Sequence, residues 1–496
     1  MTDEVTAIKQ NNLQWFALAT VVVGTFLVGL DRTIANLALP KIIDEFGINV
    51  SSAGWIATAY ILTSAIFVPI WGKLGDTIGR KKVYTIGFTG FIIGSVLVGL
   101  SWNLGSMIAF RIIQAIAGST SYPTAMGIIA ATFKNEKQRA EALGLWPVFG
   151  ASAAVFGPLI GGPLIDTFGW RAVFFINLPV GLLGLAMTMA FIEESTAEEK
   201  PKNFDWWGAI TLGIMLFALV LVLDKGLTWG WLSLNSFIAY ATIIIFSLIF
   251  YSIEKKQPEP IVDFKFFKIP AFVNTLGNNF IIFMGMMGSV FLVPIFVQTF
   301  LGLDATQTGY LFMPMVLMMM ISSPIGGSLT GKVEPRFIIS FSTFVAAIGL
   351  YLFSGLDPRS GVLDIIIPLS VMALGLGFGM GQRTNIIASL VPAHEVGIAS
   401  SILALTRNIA GAFGIAVFST ILQNATENEL IAISQQSTIH TANPIAFNQA
   451  IGLMSLKAQI SSYKTVFTIA TIFVLIGAIT ALFIKINNKE NENKPL

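Results

Sequence analysis

The 496-residue chain is 54% hydrophobic and 11% charged, with a mean hydropathy of +0.77, whereas a soluble domain carries about 25% charged residues. Its net charge of +2 is too small to suggest a nucleic-acid partner. The absence of cysteine removes disulfides, thiolate metal sites and cysteine nucleophiles, and the two histidines, His394 and His440, stand too far apart in sequence to suggest a metal site.

Apolar runs of about 20 residues follow one another from end to end, each long enough to cross a hydrocarbon core of about 30 Å. They are continuous rather than alternating, which argues against barrel strands and for helices that satisfy their own backbone. The first run, Trp15 to Leu39, is too long for a signal-peptide core and lacks a small-residue cleavage site after it, so it reads as the first membrane helix. Fourteen helices are expected, near 15–39, 52–72, 83–100, 104–130, 141–165, 170–192, 207–223, 236–253, 272–300, 309–330, 337–355, 364–391, 397–422 and 464–485. The even number puts both termini on one side. With that side cytoplasmic, 19 of the 29 Lys and Arg fall in inner loops and 6 in outer loops, while Arg32, Arg111, Arg383 and Arg407 lie inside helices; this is the positive-inside asymmetry.

A faint repeat joins the two ends of the chain. Pro69-Ile70-Trp71-Gly72-Lys73-Leu74 closes helix 2 and Pro324-Ile325-Gly326-Gly327-Ser328-Leu329 closes helix 10, each followed by basic residues. Duplicated bundles are a common transporter design. The expected domains are a six-helix bundle over 1–192, an inserted helix pair with linkers over 193–268, and a second six-helix bundle over 269–496. The outer segment 423–463 is long and polar, and 444–460 reads as a short amphipathic surface helix.

Between helices 2 and 3 stands Gly72-Lys-Leu-Gly75-Asp76-Thr-Ile-Gly79-Arg80-Lys81-Lys82. Its glycines permit a tight turn and close helix approach, and Asp76 and Arg80 can pair with each other or with helix ends. The segment resembles the signature loop of the major facilitator superfamily, where it latches the two halves on the cytoplasmic side. Gly29-Leu30-Asp31-Arg32-Thr33-Ile34-Ala35-Asn36-Leu37-Ala38-Leu39-Pro40 resembles the first-helix motif of the 14-span drug:proton antiporters within it. Arg111-Ile-Ile-Gln114-Ala-Ile-Ala-Gly118 resembles their fourth-helix motif, and the glycines and prolines from Gly150 through Gly157-Pro158 to Pro163 resemble their fifth-helix antiporter motif. Trp170-Arg171 followed by Asn177-Leu-Pro179-Val-Gly181 is also typical of that branch. The resemblance spans essentially the whole chain and implies an all-α fold of two six-helix bundles plus two inserted helices, with helices 1, 4, 9 and 12 around a central cavity.

Asp31 is the one acid expected well inside a helix, with Asp224 and Asp364 at helix ends. A charge at membrane depth is costly and usually faces a cavity, so Asp31 is a candidate for taking up and releasing a proton. The resemblance implies the same role, with Arg111 modulating that proton; the alternative is a structural ion pair with Arg32 or Arg111. Gln114 lies about one turn from Arg111 on a similar face. Gly157, Pro158 and Pro163 loosen helix 5 and let it pack closely, which suits either a sliding contact or static packing. In helix 9, Asn278, Asn279, Phe283 and Met287 are candidates to line the second half of a cavity, or else to face neighbours and lipid. Helix 12 departs from the apolar pattern of the family with Gln382, Arg383 and Asn385. One acid against several Arg, Arg32 among them, favours an anionic or zwitterionic amphiphile over a lipophilic cation.

The expected function is therefore proton-coupled efflux of a small amphipathic compound across a bacterial cytoplasmic membrane by a monomer in contact with lipid. Gly72, Asp76, Arg80, Gly157 and Pro158 are expected to gate it. No nucleotide-binding loop, metal constellation or catalytic triad is present in the sequence, so a proton gradient is the expected energy source and no cofactor is expected. A lipid or envelope-precursor translocase and a proton-coupled uptake symporter are the alternatives.

Overall fold

A computed structural model describes residues 2–133, 135–195, 205–257, 260–329, 332–391, 396–436 and 444–484, and regular structure among them is helical throughout. Two compact units result. The first comprises Met1–Ile261 with Val293–Tyr310, and the second Val262–Leu292 with Leu311–Leu496. Among the described residues, twelve helical stretches are long and apolar enough to cross a membrane.

The first unit opens with α1 (Thr2–Phe46), α2 (Val50–Ile78) and α3 (Arg80–Gly99). The joint between α2 and α3 is the single residue Gly79, whose φ of +114° a side chain would strain. The fourth expected helix is broken into α4 (Leu104–Gly118) and α5 (Ser121–Thr132). At the break, the Ser119 and Thr120 hydroxyls donate to the carbonyls of Ile116 and Ala117 at 2.7 and 2.8 Å, competing with the helical ladder. Pro123 then removes a further backbone donor. The start of α4 is held by a reciprocal cap between Asn103 and Ser106. After α6 (Glu136–Phe168), the sixth expected helix is divided at Ile176 into the single turn α7 (Ala172–Phe175) and α8 (Asn177–Phe191).

The inserted pair, α9 (Trp206–Trp229) and α10 (Leu234–Glu254), belongs to the first unit. Asp224, expected at a helix end, lies instead within α9 and is 4% exposed. Its carboxylate accepts from Ser51 Oγ and, at 2.7 Å, from the Trp55 indole of α2, and pairs with Lys225 at 3.2 Å. The acid is retained inside because α2 and its own neighbour satisfy it, and so it docks α9 onto α2.

In the second unit, a 3-10 turn at Phe264–Lys268 leads into α11 (Pro270–Phe300), α12 (Ala305–Ser328), α13 (Pro335–Phe353) and α14 (Val362–Ser389). The last helices, α15 (Val396–Gln436) and α16 (Pro444–Ala481), are longer than expected. The polar segment 423–436 continues α15, and the helix expected at 444–460 is the continuous start of α16. At about 1.5 Å per residue, 41 residues rise about 60 Å, twice the hydrocarbon core. Local bonds sustain the extension, Asn424 to the Thr420 carbonyl at 2.7 Å and Gln423 to Glu427 at 3.1 Å. Ser461 of α16 donates to Glu429 of α15 at 3.1 Å.

Candidate functional site

Asp31 sits in the middle of α1 and is 1% exposed. Both its oxygens are occupied. Oδ2 accepts from Arg111 of α4 at 2.7 Å, and Oδ1 accepts from Gln114 of α4 and from Asn177 at the start of α8, each at 2.9 Å. Arg111 also donates to Gln114 Oε1 at 2.8 Å. Asn177 Nδ2 lies 2.7 Å from Ser95 Oγ of α3, whose hydroxyl donates to the Phe174 carbonyl at 2.9 Å. Three elements, α1, α4 and α8, thus meet on one carboxylate, and α3 joins them through Asn177. The Arg111 guanidinium is sandwiched by the Tyr60 and Phe174 rings, at 4.7 and 5.2 Å from their centroids, a placement that favours the cation. Arg32 does not pair with Asp31; it is exposed and lies 5.2 Å from the Tyr60 centroid.

A buried ion pair of this kind is neutral as a unit, and each charge depends on the other. Among the described residues, every hydrogen bond to the Asp31 oxygens comes from a donor, the arrangement an ionised carboxylate accepts. Gaining a proton there requires a donor to give way, which links proton binding to the packing of α1, α3, α4 and α8.

The second unit has its own polar centre. Arg383 of α14 is fully buried; its Nε donates to Asn278 Oδ1 of α11 at 2.8 Å and its Nη2 to Ser342 and Thr343 of α13 at 3.0 Å. Asn278 Nδ2 donates to Thr343 and to the Gly477 carbonyl of α16. This centre joins the first, third, fourth and sixth helices of its unit, as the Asp31 centre does in the first, but an amide stands where the other has an acid. All the hydrogen-bond partners of Arg383 are neutral oxygens. Gln382 is buried and donates to the Gly326 carbonyl at 3.0 Å. Asn279 is buried and accepts from Arg407 at 3.4 Å, and Arg407 lies over the Phe283 ring at 5.2 Å. Phe283 and Met287 are partly exposed and Asn385 is exposed. Buried Asn278, Asn279, Gln382 and Arg383 thus tie helices of the second unit together.

The basic loop motif is organised by a residue the sequence did not single out. Glu194 accepts from the backbone N–H groups of Lys81 and Lys82 at 3.0 and 3.2 Å, at the start of α3. Arg80 donates to the Gly127 carbonyl of α5 at 3.2 Å, and a Cβ on Gly72 would meet Pro123 at 3.3 Å. Asp76 lies on α2, but its side chain falls outside the described atoms, as do His394 and His440.

In α6, a Cβ on Gly157 would lie 2.7 Å from Thr33 of α1. Residues 293–310, the end of α11 and the start of α12, belong to the first unit. There Pro158 meets Gly309, and a Cβ on Gly162 would lie 2.3 Å from Thr306 Cα. Asp166 completes the contact by accepting from the Ala305 and Thr306 N–H groups and the Thr306 hydroxyl, at 3.3, 3.0 and 2.7 Å, a charge-assisted cap on the N-terminus of α12. Gly162→Ala is expected to lower stability by about 1–3 kcal/mol through overpacking. Gly277→Ala, which meets nothing within 4 Å, is the matched control and is expected to be neutral or better. Thermal unfolding of the purified variants, followed by intrinsic fluorescence, checks both.

Asn177, Ser95, Asp166 and Glu194 were not foreseen as site residues. An Asn shortly before a proline at a helix start reads as a cap, and nothing local marks it as a partner of Asp31.

The family model for the Major Facilitator Superfamily matches residues 21–415. The multidrug transporter protein MdtP of Bacillus subtilis is 31% identical, with 96% of this chain and 94% of that protein covered. The tetracenomycin C resistance and export protein of Streptomyces glaucescens is 31% identical over 82% of this chain and 76% of that protein. Among solved structures, a bacterial homologue of the human lysosomal transporter Spinster, inward-facing and unoccupied, superposes with a TM-score of 0.68 at 17% identity, over 96% of this chain and 99% of that one.

Proposed function

The chain belongs to the major facilitator superfamily, and from that premise we propose that it exports small amphipathic compounds across a bacterial cytoplasmic membrane in exchange for protons. The buried Asp31–Arg111 pair carries this reading, because it is a carboxyl group at membrane depth that accepts from three donors on two other helices, one of which must give way to a proton. Similarity to drug-resistance and export proteins supports the direction and the substrate class. Both termini are cytoplasmic, the protein acts as a monomer, and the proton gradient is the energy source. Protonation of Asp31 from outside accompanies substrate release, and its deprotonation toward the cytoplasm accompanies substrate binding.

The substrate carries negative charge or is zwitterionic. Supporting this, the buried Arg383 has only neutral hydrogen-bond partners among the described residues, so the second unit holds a positive charge that no acid offsets there.

The test is proton release from acid-loaded everted vesicles, followed with a pH-sensitive dye, on adding a cationic or an anionic amphiphile. Wild type is expected to release protons with the anionic compound, and Asp31→Asn to release none. Undiminished release by Asp31→Asn would overturn the coupling assignment. Silence with both compounds in wild type would favour lipid translocation or uptake instead.

A further inference from the structure

The amide of Asn177 lies at the meeting point of Asp31, α3 and the α7–α8 break, and its atoms are unequally used. Asn177 is fully buried. Nδ2 serves both Asp31 Oδ1 and Ser95 Oγ, at 2.9 and 2.7 Å, while Oδ1 is buried with no hydrogen-bond partner. A buried carbonyl oxygen without a partner is costly, and a fixed structural amide would ordinarily have both ends satisfied. The other amide on Asp31, that of Gln114, already has its oxygen engaged by Arg111.

The chemistry of the carboxyl group makes sense of the spare oxygen. An ionised carboxylate only accepts, and a protonated one must also donate. In the ionised state Asn177 Nδ2 donates to Asp31. When Asp31 takes a proton, a half-turn of the amide places Oδ1 where Nδ2 was, ready to accept the new O–H. The same half-turn presents Oδ1 to Ser95, whose hydroxyl can leave the Phe174 carbonyl and donate to it. The half-turn shifts the unpartnered end of the amide from Oδ1 to Nδ2, no atom is gained or lost besides the proton on Asp31, and Arg111 keeps its charge.

We infer that Asn177 is a positioning residue that reads the protonation state of Asp31 and passes it to Ser95 and the α7–α8 break. This rests on Asp31 being the proton-binding group. The charged and titratable groups facing Asp31 are Arg111 of α4 and Tyr60 of α2, with Arg32 beyond the Tyr60 ring; α3 and α8 present only Ser95 and Asn177.

The experiment is substrate-dependent proton release from everted vesicles across a pH series, with wild type, Asp31→Asn, Asn177→Leu and Asn177→Asp. Leu matches the amide in size and neither donates nor accepts. Asp is nearly isosteric and, when ionised, cannot donate. Both remove a charge-assisted donor from the Asp31 carboxylate, so the pH of half-maximal release is expected to rise by about one unit. A lower maximal rate with the midpoint unmoved would mean a merely structural role and would overturn the inference, as would failure of both variants to accumulate in the membrane. Continued release by Asp31→Asn would instead remove the premise, and the two failures are told apart by that arm alone.

Discussion

Arg111→Leu is expected to destabilise the protein by about 3–5 kcal/mol, and the double variant Asp31→Asn/Arg111→Leu to recover most of that loss. The single substitution strands a buried carboxylate that is 1% exposed, and an uncompensated buried charge costs more than the intact pair contributes. The double variant removes both charges. Thermal unfolding of the purified variants measures this. A double variant no more stable than the single one would show that Arg111 supports the fold through the Tyr60 and Phe174 rings, not through Asp31.

Asn278→Asp is expected to reverse the charge preference of transport. It places a carboxylate against Arg383 Nε, now 2.8 Å from an amide oxygen, and so neutralises the second centre, at the loss of the two bonds that Asn278 Nδ2 donates to Thr343 and to the Gly477 carbonyl. Neutralising one uncompensated charge is expected to alter the rate on the order of tenfold, about 1.4 kcal/mol. Efflux of an anionic amphiphile is therefore expected to fall about tenfold and that of a matched cation to rise. Arg383 need not touch the substrate for this, which agrees with its full burial. An unchanged preference in a well-folded Asn278→Asp protein would make Arg383 a helix tie and nothing more. Arg383→Met is the poorer probe, because it also unties α11, α13 and α14.

Element boundaries tested which sequence signals survive packing. The continuous apolar runs marked helices throughout, because a helix in lipid must satisfy its own backbone whatever its neighbours, and twelve stretches among the described residues qualify as crossings against the fourteen expected. The expectation was less accurate where polar side chains decide the matter. Ser119 and Thr120 break the fourth helix by bonding back to its carbonyls, and the polar stretch 423–436 stays helical through its own side-chain bonds. Asp224 looked like a helix-end acid because its partners, Ser51 and Trp55, come from another helix.

By itself the sequence determined the membrane class, the all-helical fold and the prominence of Asp31, because charge at membrane depth is rare enough to be read from position alone. Only the tertiary structure decided which arginine pairs with that acid. Arg32 is adjacent in the chain yet points away to Tyr60, while Arg111, 80 residues distant, makes the bond. It likewise decided that Asn177 completes the site and that Arg383 has no acid among its hydrogen-bond partners. Those outcomes depend on which faces of α1, α3, α4, α8 and of α11, α13, α14 meet, and such meetings are set by packing between helices, which leaves no local mark in the order of residues.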